Sequence, residues 1–402
     1  MSPAFNKRRT KYDYGGIAQM NEREATPPRT NRRRFLKYLG VAAAGAAAGA
    51  AAGHYAWIPS TPPNETITET ATLTKTQTAT ETLVYPASLR AAAEARGLLI
   101  GSYVDQVALK DTQSSDTLTR EFNTVAPQGL GWSDIDCCGY TSGDAFVRFA
   151  SNHQMKVKIQ SLVWHGNLPD WINQNTPAGT LRNAMQQHIR EEVAHYRGKV
   201  YAWNVVNEAV DPDGLRKTIF LEKLGEDYIA EAFRLAHEAD PGALLYYNDY
   251  GAEAAGGLQK AKSDQVYELM RKLVTDGVPI HCVGLQMHLF AVEYPNPEDI
   301  AANIRRLAAL GLKVNISEME VRIKELPLEM SERLEMQRSI YHDVIAACVR
   351  EKGFTDITFW GLTDAHSWIN ESGLGPDYPL LFEENYQPKP AYWGVMDALL
   401  GR

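Results

Sequence analysis

From residue 98 onward the chain alternates between short apolar runs and longer stretches whose apolar residues recur every three or four positions. The runs cover 98–104, 121–127, 156–164, 200–207, 243–249, 281–289, 313–321 and 356–363. They predict strands buried on both faces, as in a parallel sheet. Between most of them lie Leu181–His195, Tyr228–Ala239, Ser263–Thr275, Pro297–Leu310 and Ser331–Glu351, with mixed charge at helical spacing. A further helix, Leu89–Arg96, precedes the first strand. Eight strands alternating with helices over about 315 residues predict an α/β domain of one (β/α)8 barrel, the TIM barrel. A doubly wound sheet fits less well. Polar residues stand at the ends of many strands, and no G-x-G-x-x-G or P-loop lies between a strand and a helix.

Before residue 88 the pattern changes. Residues 1–58 form a leader: a polar, basic stretch, then Asn31-Arg32-Arg33-Arg34-Phe35-Leu36-Lys37, then an Ala/Gly run from Val41 to Gly53. Twin arginines, a spacer, two apolar residues and a lysine are the pattern of a twin-arginine export signal. The Ala/Gly run suits its h-region and is too short and too weakly apolar for a membrane span. Residues 59–87 are a Thr/Pro-rich linker with the sequon Asn64-Glu65-Thr66 and too few apolar side chains for a core. The barrel takes 88–402. This order predicts export by the twin-arginine translocase to an extracellular or surface-tethered location.

Charge is uneven. Residues 1–40 carry ten Lys/Arg and three Asp/Glu, so the overall −8 leaves about −15 on the rest. An acidic body argues against nucleic acid as a partner. The four cysteines, Cys137, Cys138, Cys282 and Cys348, lack metal-ligand spacing, and free or buried thiols are expected. No metal and no cofactor are expected, and the chain is expected to act as a monomer.

The strand ends hold the candidate chemistry. The third run ends in Trp164-His165-Gly166-Asn167, the fourth in Asn207-Glu208 and the fifth in Asn248-Asp249-Tyr250. The sixth ends in Gln286-Met-His288, the seventh holds Glu318 and Glu320, and the eighth leads to Trp360 and Trp368. Barrel sites form at this rim. Tryptophan faces stack on sugar rings, and amides and carboxylates bind hydroxyls. Two carboxyls at two strand ends are what cleavage of a glycosidic bond requires: one protonates the leaving oxygen, the other attacks the anomeric carbon.

The motifs Leu162-Val-Trp-His-Gly-Asn-Leu-Pro-Asp-Trp171, Trp203-Asn-Val-Val-Asn207-Glu208-Ala209, Asn248-Asp-Tyr250 and Gly284-Leu-Gln-Met-His-Leu289 follow one another in the order of a known family. Val314-Asn-Ile-Ser317-Glu318-Met-Glu320-Val321, Trp360-Gly-Leu-Thr-Asp364 and Pro388-Lys-Pro-Ala-Tyr392 continue it. Over residues 88–402 the chain resembles glycoside hydrolase family 10, the retaining endo-β-1,4-xylanases. The resemblance implies Glu208 as acid/base and Glu318 as nucleophile, with carboxyls about 5–5.5 Å apart. It implies Asn207 on the sugar 2-hydroxyl, His288 on Glu318, Gln286 nearby, and Trp164, Trp360 and Trp368 as walls. Substrate contacts are also expected from His165, Asn167, Gln160, Gln128, Asn248 and Glu320, and a polysaccharide, xylan or a related β-glycan, is the expected partner.

The second strand departs from that family. Its usual T-P-E-N-E-M-K-W is replaced by Ala126-Pro127-Gln128-Gly129-Leu130-Gly131-Trp132, and R-G-H on the third by Lys158-Ile159-Gln160. Matched polar contacts discriminate sugars strongly. Another β-linked glycan or a decorated xylan is therefore an alternative substrate, and a non-catalytic carbohydrate-binding surface protein is a third reading. Asn370-Glu-Ser372 is the sequon within the barrel expected to be accessible.

Overall fold

The structure, a computed structural model, describes residues 85–402. The twin-arginine motif, the Ala/Gly run and almost all of the linker, Asn64 included, lie outside the described residues.

Eight parallel strands close a barrel. They are β1 (Leu99–Val104), β2 (Thr124–Pro127), β3 (Lys156–Ile159), β4 (Ala202–Asn207), β7 (Leu244–Asp249), β8 (Cys282–Leu285), β10 (Lys313–Arg322) and β11 (Phe354–Phe359). They pair in chain order, and β11 returns to β1 through Leu99↔Asp356 to Ser102↔Phe359. Two short strands, β5 (Val210–Asp211) and β6 (Gly214–Leu215), form a hairpin after β4. A third, β9 (His288–Phe290), extends the sheet beside the far end of β10. Closure leaves no barrel edge unpaired, and the apolar runs supply side chains both to the interior and to the helices outside.

The helices form where the periodicity placed them: Leu89–Ala95, Ala178–His195, Tyr228–Ala239, Lys260–Thr275, Pro297–Ala309 and Met330–Val349. Local signals set their starts. Ser88 Oγ accepts from the Ala91 amide, and Asn296 caps a helix whose first residue is Pro297. Each lays an apolar stripe on the barrel, as with Ile300, Ile304 and Leu307, all at most 1% exposed.

Three strands differ from expectation. The second begins at Thr124 rather than at 121, because helix Thr112–Glu121 runs up to Phe122. The third ends at Ile159, although Val163 still bridges Val206. The sixth is split into β8 and β9 at Met287, whose φ is +62°. The expectation of four free or buried thiols is corrected: Cys137 and Cys138 are joined to each other. Both sit exposed in the last turn of helix Trp132–Cys138, where adjacency leaves the two sulfurs within reach and no core packs around them. Cys282 and Cys348 are the buried thiols. The Asn370 carboxamide of the barrel sequon is half-buried and engaged on both edges: its Nδ2 donates to the Asp364 and Asp377 carbonyls and its Oδ1 accepts from the Asp377 amide.

Candidate active site

Side chains alternate across a strand, so neighbouring residues ordinarily point apart. Asn207 and Glu208 nevertheless meet, their side chains hydrogen-bonded at 3.2 Å. Two backbone features allow this. Glu208 has φ +56°, a left-handed conformation uncommon for a non-glycine residue. The pairing of β4 with β7 also slips by a residue between Asn204 and Val206. On β10 the register against β11 slips between Ile316 and Met319. That bulge turns consecutive Ser317 and Glu318 toward the same Asn248.

The result is a continuous network. Glu208 Oε1 accepts from Asn207 Nδ2 and from Gln286 Nε2 (3.0 Å), and its Oε2 accepts from the Trp164 indole N–H (3.0 Å). Asn207 Oδ1 accepts from Asn204 (3.0 Å) and from Asn248 (2.9 Å). Asn248 Nδ2 donates to Glu318 Oε1 at 2.6 Å, and its Oδ1 accepts from Ser317 Oγ. Glu208 and Glu318 are thus joined through two carboxamides. They are only 7% and 5% exposed. Gly284 permits the packing: a Cβ there would lie 2.2 Å from Asn248 Oδ1.

On the far side of Glu318 stands His288. Its Nε2 is 3.2 Å from Glu318 Oε2 and its Nδ1 2.8 Å from Glu320 Oε1. Glu318 and Glu320 are two apart on one strand and share a face. Both ring nitrogens face carboxylates, which suits an imidazolium donating twice. Burial opposes that charge, but the hydrogen bonds to Glu318 and Glu320 and their charges override it, pushing the His288 pKa up to about 10. Burial raises the pKa of Glu318, while the His288 hydrogen bond and charge pull it back. The Trp368 indole N–H donates to both oxygens of Glu320, at 2.9 and 3.0 Å.

Most of the residues expected here do converge. Glu208, Glu318, His288, Asn207, Asn248, Gln286, Glu320, Trp164 and Trp368 are linked as described. Gln160 joins from below, its Oε1 accepting from Asn204 (3.3 Å) and Asn248 (3.5 Å). Trp360 stacks on Tyr103 at 3.9 Å, and Gln128 lines the same small cavity as Trp360 and Trp368. His165 lies 3.5 Å from Arg216. Asn167 is the exception. Its Oδ1 accepts from the Ser133 amide and its Nδ2 donates to Asp134, so the carboxamide holds the start of helix Trp132–Cys138.

Three participants were not anticipated in these roles: Asn204, Ser317 and Arg216. Arg216 follows the β5–β6 hairpin, and its Nη1 is 3.8 Å from Glu208 Oε2. The turn signal Asp213-Gly214, five residues after Glu208, could have indicated it, because a hairpin after β4 returns the chain to Glu208. No group of His, Cys, Asp and Glu suited to a metal occurs among the described residues.

Two buried carboxyls on neighbouring donors, one next to an imidazolium, can together donate a proton and attack a carbon centre. Comparison with known proteins points the same way. The model of glycosyl hydrolase family 10 matches residues 88–398. The chain is 37% identical over 290 residues to endo-1,4-beta-xylanase A of Humicola insolens, spanning 70% of this chain and 75% of that one. It is 36% identical over 297 residues to the beta-1,4-xylanase of Dictyoglomus thermophilum, spanning 69% and 82%. Among solved structures it resembles native xylanase 10B from Thermotoga maritima, with TM-score 0.73, 35% identity, and 78% and 98% of the two chains covered.

Proposed function

The chain belongs to glycosyl hydrolase family 10, and we propose that it is a retaining endo-β-1,4-xylanase in which Glu208 is the acid/base and Glu318 the nucleophile. The observation that carries this reading is the path Glu208–Asn207–Asn248–Glu318, which brings two buried carboxyls from two strand ends onto one network. The xylanases to which the chain is similar support xylan as the substrate.

In the first step the Glu208 proton moves to the glycosidic oxygen as its bond to the anomeric carbon breaks. A Glu318 oxygen forms the new bond, giving a covalent glycosyl-enzyme. In the second step Glu208 takes a proton from water, the water oxygen bonds to the anomeric carbon, and Glu318 leaves as a carboxylate. Glu318 must be ionised to attack. Its burial works against ionisation, and the His288 imidazolium offsets that burial. Asn207 turns one amide edge to Glu208, and Trp164 and Trp368 supply aromatic walls fixed by their indole hydrogen bonds.

The test is product release from xylan, arabinoxylan, mixed-linkage glucan, carboxymethyl-cellulose and mannan, run beside Glu318→Ala. Xylo-oligosaccharides released from xylan in the β-anomeric form, and absent in the variant, are expected. The α-anomer as first product would overturn retention. A second reading keeps the chemistry and changes the glycan. Two departures favour it: Lys158 is spent on a buried ion pair with Asp356, and Asn167 on a helix start. Activity on another panel member but not on xylan would select it. Silence on every member would favour a binding protein.

Export by the twin-arginine route is part of the proposal and rests on Arg32, Arg33, Phe35, Leu36 and Lys37 with the Ala/Gly run behind them. Replacing Arg32 and Arg33 together by Lys should retain the protein inside the cell. Unchanged release of that variant would exclude the route.

A further inference from the structure

We propose that Arg216 is a positioning residue for proton transfer: its guanidinium orients Glu208 and stabilises the carboxylate left once Glu208 has given up its proton. The inference rests on the role of Glu208 proposed above. The Arg216 amide donates to the Ala209 carbonyl at 2.8 Å, so the hairpin Val210–Leu215 ends beside the residue that follows Glu208. Nη2 donates to Tyr250 Oη at 2.8 Å and pairs with Asp211 at 3.1 Å. Nη1 is left facing His165 and Glu208 Oε2. The side chain is 13% exposed, and its Nε is buried without a partner.

The hydrogen-bond donors to Glu208, from Asn207, Gln286 and Trp164, are neutral. Among the described residues the other cations of the site face elsewhere: His288 toward Glu318 and Glu320, Lys262 toward Asp249 and the Tyr250 ring. Arg216 is therefore the cation available to the charge that appears on Glu208 as the leaving oxygen takes its proton. At 3.8 Å in a partly buried setting that attraction is stronger than in water and requires no proton of its own. A leaving group that departs readily without a proton gains little from it, and one that must be protonated gains most.

That difference provides the test. Arg216→Gln, Arg216→Met and Arg216→Lys are assayed on 2,4-dinitrophenyl and phenyl glycosides of the disaccharide released in the polysaccharide panel, with Glu208→Ala measured alongside. In Arg216→Gln and Arg216→Met, kcat/KM for the phenyl glycoside should fall on the order of tenfold to a hundredfold further than for the dinitrophenyl glycoside. Arg216→Lys, which keeps the charge, should recover most of the ratio. Gln retains a donor for Tyr250 and serves if the Met variant does not fold. Equal losses on both glycosides in the neutral variants would overturn the inference and leave Arg216 a structural tie. If Glu208→Ala is selective for the phenyl glycoside while the Arg216 variants are not, this inference alone fails. If Glu208→Ala also loses both equally, the acid/base assignment fails and this inference with it.

Discussion

Two polar clusters are buried inside the same barrel. Toward the strand starts, Lys158 of β3 meets Asp356 of β11 at 2.7 Å, both side chains at most 4% exposed. Tyr246 and Cys282 pack nearby, and Asn315 donates to the Cys282 sulfur. At the strand ends lie Glu208, Glu318 and Glu320, with His288 and Arg216. The lower cluster matches one cation with one anion. The upper one sets three carboxyls against two cations and so carries an excess of carboxyl groups. A buried pair with internal balance serves the fold, whereas an imbalance held in place by amides and indoles can serve a reaction. The difference lies mainly in the accounting of charge, since both clusters are largely removed from water.

That contrast can be broken from either side. The largest effect is expected at Glu318→Ala, which should lose about 10⁴-fold or more in kcat. Its unfolding midpoint in denaturant should hold or rise, because the variant removes a carboxyl whose burial is unfavourable. A marked loss of stability would mean that the upper cluster also supports the fold. Lys158→Met should do the reverse. It strands Asp356 and should cost about 3–5 kcal/mol of unfolding free energy. Adding Asp356→Leu should restore most of it, and no recovery in the double variant would show that the pair is not the unit that matters.

Gly284→Ala sharpens the comparison at the seam between structure and chemistry. The new methyl would press on Asn248, which bonds both Asn207 and Glu318. A shift of about 1 Å at a reacting group can cost about 100-fold, so kcat should fall by that order while the fold survives. The most gradual effect is a pH slope. The folded His288 pKa, about 10, stands above its ordinary 6.5. Its stabilising contribution is therefore complete below pH 6.5 and is lost as pH rises toward 10. Thermal melting of the wild type should decline across that window, and His288→Gln should flatten the decline. Parallel slopes in both proteins would remove His288 as its source.

Much of this architecture was legible in the linear chain, and what was not has a local explanation. The eight apolar runs and the helical stripes marked the barrel because each element must bury its own face. Glu208 and Glu318 stood out because polar residues at the end of an apolar strand have no reason to be there unless that end is used. Other residues could not be judged this way. Asn167 was expected on the sugar and instead holds a helix start, since one amide suits either role. Trp164 and Trp368 were expected as walls, yet their indole N–H groups also anchor Glu208 and Glu320. Arg216 carried no signal of its own, because a single arginine after a turn belongs to no motif.

The sequence by itself determined the alternation of strands and helices, the order in which the strands close, and which two glutamates stand near the ends of two of the apolar runs. These follow from periodicity and from the cost of burying polar groups, both properties of short stretches. Tertiary structure alone decided how Glu208 and Glu318 are joined. The left-handed turn at Glu208 and the register slips in β4 and β10 aim consecutive side chains into one site. Such slips belong to the pairing of two strands and not to either strand alone, so their outcome is set only when residues far apart in the chain meet.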